Sequence, residues 1–335
     1  MTSDSLPSGV VTSMGSLPHD RSSDAVSFVL ELQPELPAAP SIPAAAPMEG
    51  MISQAAWGVP GITVCPDGSL AVDQAALDPE APLTDPDLTG PPFATLRLFL
   101  RAVGDRHGPV KLQLTGPVTL GMALRASGVD EQLAFRVAAA AVQQRADHLL
   151  TLAHHAVPAA TLVTFLDEPS LVGGQRSELP LDADHTIDLV SGALAVIEPR
   201  AVTGLHCCGP SDWRVLLQAG PQVLSLPLDA GIDGSAGALG SFLDRGGWVA
   251  WGAVPTDGPL GDHASRLWRQ LSSQWCQLVQ AGCDPVALRR QALVTPVCGL
   301  ALHGVDHARR VLSLTRELAE RLHDQVIGVR LSVGA

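Results

Sequence analysis

Basic and aromatic side chains are scarce in this sequence. It has no tyrosine, aromatic residues make up 4% of the chain, and Lys111 is the only lysine. The formal net charge at pH 7 is −13. Because a protein that binds DNA or RNA needs a basic surface for the phosphates, this charge balance argues against nucleic acid as a partner.

Long apolar runs are also missing. No window contains the roughly 18 uncharged apolar residues that a membrane-spanning helix needs, and the first residues, MTSDSLPSGVV, lack the basic and apolar regions of a signal peptide. The chain has six cysteines among 335 residues, and in a reducing compartment such thiols stay free for metal binding or catalysis. We therefore expect a cytoplasmic protein that does not associate with membranes.

The apolar residues that are present form a regular alternation of short and long segments. They make up 46% of the chain, which is enough for a substantial core. Short β-rich runs predict strands at residues 10–18, 110–117, 160–169, 201–210, 222–228, 247–255 and 293–300. Helical periodicity predicts helices at residues 130–156, 186–197, 235–245, 264–281 and 305–321. Strands that are apolar on both faces and alternate with helices indicate a parallel sheet.

This alternation predicts an α/β fold, specifically a (β/α)8 TIM barrel that forms a single domain over residues 1–335. Seven βα units are marked, and a poorly marked eighth unit fits between residues 45 and 105. Residues 33–92, rich in Pro, Ala and Asp, are predicted to be loop-rich around one short strand, as part of an irregular N-terminal extension that covers the mouth or the bottom of the barrel. An open doubly wound sheet is the alternative, but no GxGxxG or P-loop motif follows any strand.

Polar and thiol side chains stand at the carboxyl ends of the predicted strands. In a barrel these ends converge on one mouth, where active sites are built. Such residues often do no more than cap a strand, but seven on one predicted rim indicate a site. They are Ser16, Thr115, Asp167, His206, Cys208, Asp229 and Cys298.

The stretch LHCCGPSD, residues 205–212, places a histidine beside two adjacent cysteines. Three interpretations are open: a buried reduced pair, a redox pair, or half of a metal site. Alternate residues of a strand face the same way, so His206 and Cys208 point together and Cys207 points to the opposite face. Zinc normally takes four ligands, and Cys298 at the end of the last predicted strand is a natural third. A disulfide between Cys207 and Cys208 would be strained.

The remaining cysteines are predicted to pack rather than to react. Free cysteine is among the most buried residue types, and this is the expectation for Cys65, Cys207 and Cys276. Cys283 lies in a turn that ends a helix. Packing is also the open alternative for His206 and Cys208.

Two further segments carry candidate binding groups. In Asp167-Glu168-Pro169 the adjacent carboxylates point to opposite faces of a strand, so one of them can reach the mouth and bind a substrate ammonium. The alternative is that both cap a loop. In MGSLPHD, residues 14–20, Ser16 can offer a hydroxyl to a carboxylate, although turns of this composition are common.

Taken in order, five short motifs resemble the cobalamin-independent methionine synthase family, within the uroporphyrinogen decarboxylase-like superfamily of barrels. They are MGSLP, KLQLTGPVTL, FLDEPSL, LHCCG and VTPVCGL. The resemblance runs through almost the whole chain and implies the same barrel fold. The HxCG form is also similar to that of zinc methyltransferases that pass methyl groups from corrinoid proteins to thiols.

The resemblance implies roles for individual residues. His206, Cys208 and Cys298 match zinc ligands, so Zn²⁺ is the expected cofactor. Asp167 matches the catalytic and substrate-binding aspartate that holds the homocysteine amino group, and Ser16 matches the serine near the homocysteine carboxylate. A thiol has a pKa of about 8.5 and is mostly protonated near pH 7, whereas a zinc-bound thiol is a thiolate.

The sequence departs from the family pattern in three places. Pro227 stands where the family has a zinc glutamate, and Asp229 is the expected substitute as fourth ligand. The chain has room for one barrel rather than two. A histidine expected after the seventh strand is replaced by WGAVP, residues 251–255, which favours a methylcorrinoid protein over methylfolate as the methyl donor. Glu49 could correspond to a family glutamate near the second strand.

Three hypotheses of function follow. The leading one is a zinc-dependent methyltransferase that transfers a methyl group to a thiol, with homocysteine as the acceptor and methionine as the product. The second is decarboxylation of a porphyrin-like substrate, which favours an arginine-lined cleft. The third is a degenerate barrel that binds a small thiol or amino acid without turnover.

Overall fold

The computed structural model describes residues 6–173, 179–261 and 263–333. In these residues the helices are α1 (Ser22–Leu32), α2 (Met51–Ala56), α3 (Ala94–Ala102), α4 (Pro117–Ala126), α5 (Glu131–Ala156), α6 (Ala183–Ile197), α7 (Trp213–Gln218), α8 (Ala236–Asp244), α9 (Ser265–Gln280), α10 (Pro285–Arg290) and α11 (Val305–Val333). The strands are β1 (Ile62–Val64), β2 (Leu70–Val72), β3 (Val110–Thr115), β4 (Leu162–Asp167), β5 (Val202–His206), β6 (Val223–Pro227), β7 (Trp248–Val254) and β8 (Ala292–Pro296). The predicted α/β class is confirmed.

Strands β3 to β8 form one parallel sheet in which spatial order follows chain order. Each strand is followed by at least one helix or helical turn before the next strand begins. In parallel pairing this requires crossover connections, which place the helices on the outside of the sheet. Six of the seven strands predicted from apolar runs are therefore present, and their carboxyl ends lie along one edge of the sheet.

The predicted eight-stranded barrel is not shown, because the regular sheet in the described residues has six strands. The predicted strand 10–18 makes isolated bridges instead: Val11 pairs with Val294 of β8, and Ser16 pairs with Ser41. A second irregular segment pairs with β3 through Ala38 and Lys111. The two irregular segments thus lie along the two edges of the sheet and contact each other.

Backbone chemistry explains why these two segments do not form regular strands. Gly15 has a φ of 93°, and a Cβ atom there would collide with the side chain of Gln113 and the carbonyl of Ala39. Pro37 and Pro40 flank the second segment and have no N–H to donate to a ladder. Each segment therefore pairs over one or two residues at a time.

The N-terminal region 33–92 contains more structure than predicted. In place of one short strand it has the antiparallel pair β1 and β2, and it also contains helix α2. Met51 and Gln54 of α2 line the cavity described below, so this helix lies over the carboxyl ends of the strands. Of the two positions predicted for the extension, the helix occupies the mouth.

The five predicted helices are confirmed; four match to within three residues at each end, whereas the last one, α11, is much longer than predicted. Asp130 caps α5 by accepting a hydrogen bond from the N–H of Leu133 at 3.2 Å, and α11 continues to Val333, beyond the predicted end. The helices that were not predicted are α1, α2, α3, α4, α7 and α10. In the described residues no helix is long and apolar enough to span a bilayer.

The inner face of the sheet changes character from one end to the other. At its amino end the inward residues form an apolar cluster that includes Val163, Phe165, Val202, Val223 and Leu293. Nearer the carboxyl end, the same face carries Asp167, His206, Ser225 and Thr295. In β4, β6 and β8 this polar residue lies two positions after the apolar one, and in β5 it lies four positions after it. Alternation places residues i and i+2 on one face. Each strand therefore delivers its last inward side chain to the same end of the molecule.

Candidate functional site

A cavity of about 440 Å³ lies at the carboxyl ends of the strands. Its walls come from the inner face of β3, β4 and β5, the loop after β8, the segment around Ser16 and helix α2. The lining residues are Met14, Ser16, Ser41, Pro43, Met51, Gln54, Gln113, Leu114, Thr115, Asp167, Pro169, His206, Cys208, Cys298, Gly299, Ala301 and Leu302. Six of the seven residues predicted to share a rim line this cavity; Asp229 does not.

His206, Cys208 and Cys298 all line this cavity. Both His206 and Cys208 donate hydrogen bonds to the sulfur of Cys298. These two hydrogen bonds lower the pKa of the Cys298 thiol to about 4. The pKa of the Cys208 thiol is raised, first because it donates to Cys298 and then because it is buried.

Ser225 orients the imidazole of His206. The Oγ atom of Ser225, which lies opposite His206 in the β5–β6 register, is 3.0 Å from Nδ1 of His206. With Nδ1 engaged by this hydroxyl, Nε2 is the ring nitrogen that remains for Cys298 or a metal ion. A partner on the second nitrogen is the usual way in which a ligand histidine is held in place.

Cys207 faces away from the cavity, as strand alternation predicted. It is buried, and its thiol contacts the carbonyl oxygen of Gly209 at 3.7 Å. Burial raises the pKa of this thiol to about 11, so that it stays protonated at neutral pH. The interpretation of LHCCGPSD as a cysteine pair, reduced or redox-active, is not supported by this geometry.

The prediction that the other cysteines are buried was wrong for Cys276. Helix α9 buries Leu271, Trp275 and Leu278 on one face, and Cys276 follows Trp275 by one residue, about 100° around the helix. The thiol is therefore exposed. Cys65 is half-buried, whereas Cys283 is buried and donates to the carbonyl of Ala236 at 3.4 Å.

The adjacent carboxylates Asp167 and Glu168 have separate roles. Glu168 is buried and accepts hydrogen bonds from the N–H groups of Val118 and Thr119 at 2.9 and 2.7 Å, so that it caps the start of α4. Burial raises the pKa of Glu168 to about 7. Asp167 lines the cavity, and its Oδ1 atom is buried with no hydrogen-bond partner among the described residues. Burial raises the pKa of Asp167 as well.

The only lysine of the chain is buried below the cavity. Nζ of Lys111 donates to Oε1 of Gln113 at 3.2 Å and lies 4.5 Å from the ring centroid of Phe165. Nε2 of Gln113 donates to the carbonyl of Ala39. Burial lowers the pKa of Lys111 to about 8, and the nearby charge of Asp167 acts in the opposite direction.

Ser16 is held against the loop that carries Cys298. The N–H of Leu300 donates to the backbone carbonyl of Ser16 at 2.9 Å. A Cβ atom on Gly299 would collide with Oγ of Ser16. Glycine in VTPVCGL is thus required for the close approach of the Ser16 hydroxyl to the cysteine loop.

Two carboxylates considered from the sequence lie outside the cavity. Asp229 is exposed in the turn after β6, so the structure does not bring the predicted fourth ligand to the other three. Glu49 is buried and accepts hydrogen bonds from the N–H groups of Ile42 and Thr95, both at 3.0 Å. It supports the entry into α3. Pro227, at the end of β6, is buried and pairs with Gly252.

The loop after β7 has histidine neighbours from a different element. Nε2 of His307 is 2.8 Å from the carbonyl oxygen of Thr256, and Nε2 of His303 lies 3.7 Å from Oδ1 of Asp257. Neither histidine is among the residues that line the cavity. The histidine missing from WGAVP is therefore not replaced inside the cavity.

Several lining residues were not predicted. Gln113 shares a strand face with Thr115, so alternation within QLTGP was sufficient to find it. Met51 and Gln54 lie on α2, in a region whose composition indicated loops, and no signal in the sequence identified them.

The three donor groups fit zinc by their chemistry. Two thiols and one imidazole are ligands that zinc prefers, and a catalytic zinc site uses three protein ligands with one open position. In the described residues no three His, Cys, Asp or Glu side chains are already spaced as a shell around a metal ion. The fit therefore rests on the donor types, on the contacts of Cys298 with both other ligands, and on the Ser225–His206 contact.

Comparison with solved structures shows the fold alone. A methyltransferase from Methanosarcina mazei is similar with a TM-score of 0.54 at 15% identity, covering 93% of this chain and 94% of that one. The candidate vitamin-B12-independent methionine synthase from Listeria monocytogenes is similar with a TM-score of 0.53 at 14% identity, covering 91% of this chain and 85% of the other.

Comparison of sequences adds little. No protein-family model matches the chain. Erythronolide synthase EryA2 from Saccharopolyspora erythraea is 28% identical over 158 residues, which is 40% of this chain but only 4% of that protein. So small a share of a much longer protein says nothing about the activity of this chain.

Proposed function

We propose that this protein is a zinc-dependent methyltransferase that transfers a methyl group to a thiol, with homocysteine as acceptor and methionine as product. The observation that carries the proposal is the meeting of His206, Cys208 and Cys298 at one wall of a cavity that also exposes Asp167. The two similar folds, one named a methyltransferase and one a candidate methionine synthase, agree with this chemistry.

Different residues of the cavity would bind the metal ion and orient its ligands. His206, Cys208 and Cys298 would hold the zinc ion, which when bound supplies a Lewis acid that keeps the acceptor thiol deprotonated. Ser225 fixes the orientation of His206 through its Nδ1 atom. Because methyl transfer to a thiolate is an in-line displacement, correct placement of the acceptor sulfur provides much of the catalysis.

The rest of the acceptor is bound by polar groups beside the metal ligands: Asp167 is the register partner of His206, and Ser16 lies against Gly299, next to Cys298. Oδ1 of Asp167 has no partner among the described residues and can accept a hydrogen bond from the acceptor ammonium. The Ser16 hydroxyl, beside Gly299, can donate to the carboxylate. Met14, Met51 and Leu114 line the cavity with apolar surface and exclude water from the reacting sulfur.

The fourth ligand position is left to the acceptor. Pro227 cannot coordinate a metal, and Asp229 is exposed outside the cavity. A shell of three protein ligands leaves one position open for substrate in catalytic zinc sites. The acceptor thiolate itself would then complete the shell.

A methylcorrinoid protein is the proposed methyl donor, and methylfolate is the alternative. Methylfolate needs a proton donor for its leaving group, and neither His303 nor His307 lines the cavity. It also carries carboxylates, whereas no arginine or lysine is among the lining residues of the described chain. Methyl transfer to homocysteine from a methylcorrinoid but not from methylfolate supports the proposal; the reverse result would reassign the donor.

The same lack of basic residues argues against decarboxylation of a porphyrin-like substrate. Such a substrate carries many carboxylates, and a cleft that binds it needs several arginines. Among the described residues that line the cavity, Asp167 is the one carboxylate, and none is an arginine or a lysine.

Metal analysis of the purified protein tests the zinc assignment. We expect about one zinc ion per chain in the unaltered protein and a large loss in His206→Ala. His154→Ala is the matched control, because His154 lies on α5 and its Nδ1 atom contacts the backbone of the same helix. Zinc far below one ion per chain, with no effect of His206→Ala, would overturn the proposal.

A further inference from the structure

Lys111, the only lysine of the chain, is buried without an ionised partner in contact. The described residues give it no ion pair. Among them its Nζ atom has one hydrogen-bond acceptor, Oε1 of Gln113 at 3.2 Å, while the charge of Asp167 acts on it from a distance. Because a buried charge without a contacting counterion destabilises a fold, Lys111 points to a function rather than to stability.

Gln113 connects this buried charge to the cavity. Its amide is fixed at both ends, since Oε1 accepts from Lys111 and Nε2 donates to the carbonyl of Ala39. An ammonium group can only donate and a carbonyl can only accept, so these two contacts determine which end of the amide is the oxygen. Nε2 carries two N–H groups. One is used by Ala39, and the other has no acceptor among the described residues.

The lysine strengthens the remaining N–H as a donor. A cation that binds the oxygen of an amide polarises the whole group, and the low dielectric of the protein interior enhances this effect. Burial lowers the pKa of Lys111 to about 8, so the ammonium form predominates at pH 7. Gln113 lines the cavity. The cavity wall therefore presents positive potential at Gln113 although no described lining residue is an arginine or a lysine.

A second donor lies next to the amide of Gln113. A Cβ atom at Gly15 would collide with Nε2 of Gln113, so this nitrogen packs directly against the residue that precedes Ser16. Ser16 also lines the cavity, and its hydroxyl is the group proposed above to donate to the acceptor carboxylate. The amide and the hydroxyl thus form one patch of hydrogen-bond donors.

The distance from this patch to Asp167 matches the head of an α-amino acid. Strand β3 pairs Gln113 with Phe165 and Thr115 with Asp167, so Gln113 and Asp167 are diagonal neighbours on the inner face. Strands about 4.8 Å apart, with about 3.3 Å per residue, place their Cα atoms roughly 8 Å apart. An ammonium and a carboxylate on one carbon atom span less than this, which leaves room for a hydrogen bond at each end.

We propose that Gln113 binds the carboxylate of an α-amino acid acceptor together with Ser16, and that Lys111 is a positioning residue that acts through the amide of Gln113. The inference rests on the proposed function for the thiol of the acceptor. It adds the side chain that binds the carboxylate and gives the buried lysine a role in choosing the acceptor.

Two thiols that differ by one carboxylate test the subsite. Homocysteine has the thiol, the amine and the carboxylate, whereas 3-aminopropane-1-thiol lacks only the carboxylate. Titration calorimetry with zinc supplied measures the Kd of each thiol without methyl transfer. We expect the unaltered protein to bind homocysteine at least about tenfold more tightly.

Lys111→Met and Gln113→Met remove the charge and the amide separately. Each should weaken homocysteine binding by about tenfold or more and change the Kd of 3-aminopropane-1-thiol by less than about threefold, so the preference for the carboxylate is lost. A merely structural role would weaken both thiols alike. Because the two variants test the same subsite from its two ends, one that folds is sufficient.

Gln54→Met is the matched control. Gln54 is a second glutamine of the cavity lining, but its Nε2 atom donates to the carbonyl of Pro92, and its amide has no contact with Lys111. The preference for homocysteine should persist in this variant. An equal loss in Gln54→Met would overturn the proposal, since any polar lining residue would then have the same effect.

The remaining outcomes separate this proposal from the proposed function. Equal affinity of the unaltered protein for the two thiols, or an unchanged preference in Lys111→Met or Gln113→Met, would overturn the carboxylate subsite while methyl transfer could still be observed. A preference that both variants abolish supports the subsite even if no methyl transfer is detected. Binding of neither thiol would overturn both proposals.

Discussion

Adjacent residues of the same chemical type have different roles on the two faces of the sheet. On the outer face Glu168 accepts hydrogen bonds from the start of α4, and Cys207 is buried against Gly209. On the inner face, one residue away in each case, Asp167 has an oxygen without a partner and Cys208 contacts Cys298 at the cavity wall. Groups with all their partners inside the protein hold the fold, and groups that lack them are available to a ligand.

The strongest test of this contrast compares the two adjacent cysteines. Cys208→Ser replaces a soft zinc ligand by a hydroxyl, and we expect thiol methylation to fall by at least about a hundredfold with zinc loss. Cys207→Ser should retain zinc and activity and lower the free energy of unfolding by about 1 kcal/mol, because a hydroxyl is buried there. Zinc content, methyl transfer and urea unfolding measure these effects. Equal activity in both variants would break the contrast.

For the adjacent carboxylates, we expect the outer-face residue Glu168 to matter more for stability and the inner-face residue Asp167 to matter more for activity. Glu168→Ala leaves the N–H groups of Val118 and Thr119 buried without an acceptor, and we expect the free energy of unfolding to fall by about 3 kcal/mol. Asp167→Asn should change stability by less than about 1 kcal/mol but raise the KM for homocysteine. Urea unfolding and steady-state kinetics test the pair; a larger stability loss in Asp167→Asn would contradict it.

The titration of Glu168 adds a smaller, pH-dependent effect. Burial raises its pKa from 4.5 to about 7 in the folded protein. A carboxyl group whose pKa is raised by folding stabilises the protein fully below its unfolded pKa, and this contribution is lost as pH rises to about 7. The difference in unfolding free energy between the unaltered protein and Glu168→Gln should therefore shrink over this interval. A difference that does not change with pH from 4 to 8 would show that Glu168 does not titrate there.

Lys111 should have the smallest effect on stability, although it lies on the inner face. Its buried ammonium group has one hydrogen-bond partner among the described residues, Gln113, so Lys111→Met removes a desolvated charge and leaves few partners unsatisfied. We expect the free energy of unfolding to stay the same or rise by about 1 kcal/mol. Thermal unfolding at pH 7 measures this. A large destabilisation would show instead that Lys111 stabilises the fold by balancing the charge of Asp167.

Where strand alternation governs the chain, the sequence was sufficient to predict which side chains face the cavity. The opposite orientations of Cys207 and Cys208, and of Asp167 and Glu168, follow from a period of two residues, and the parallel order of β3 to β8 brings His206 to the same edge as Cys298. The regular helices between these strands were also predictable from apolar spacing.

The N-terminal part of the chain was less predictable for a physical reason. Its contacts are irregular, since Gly15 and the nearby prolines limit backbone pairing to isolated bridges. Side chains there, such as Met51 and Gln54, reach the cavity through tertiary packing that has no periodic signal. Asp229 does not reach the cavity, because the turn after β6 directs it outward. Strand alternation predicts the direction of a side chain only as far as the end of the strand, and Asp229 lies beyond that end.

The pairing of the first segment with the last strand has a consequence for synthesis. Val11 bridges to Val294, and Ser16 approaches the loop of Gly299 and Leu300. As the polypeptide leaves the ribosome, residues around Ser16 emerge long before their partners around Gly299. Contacts so distant in sequence form slowly. A nascent chain can thus place His206 and Cys208 in the growing sheet before Cys298 has been synthesised.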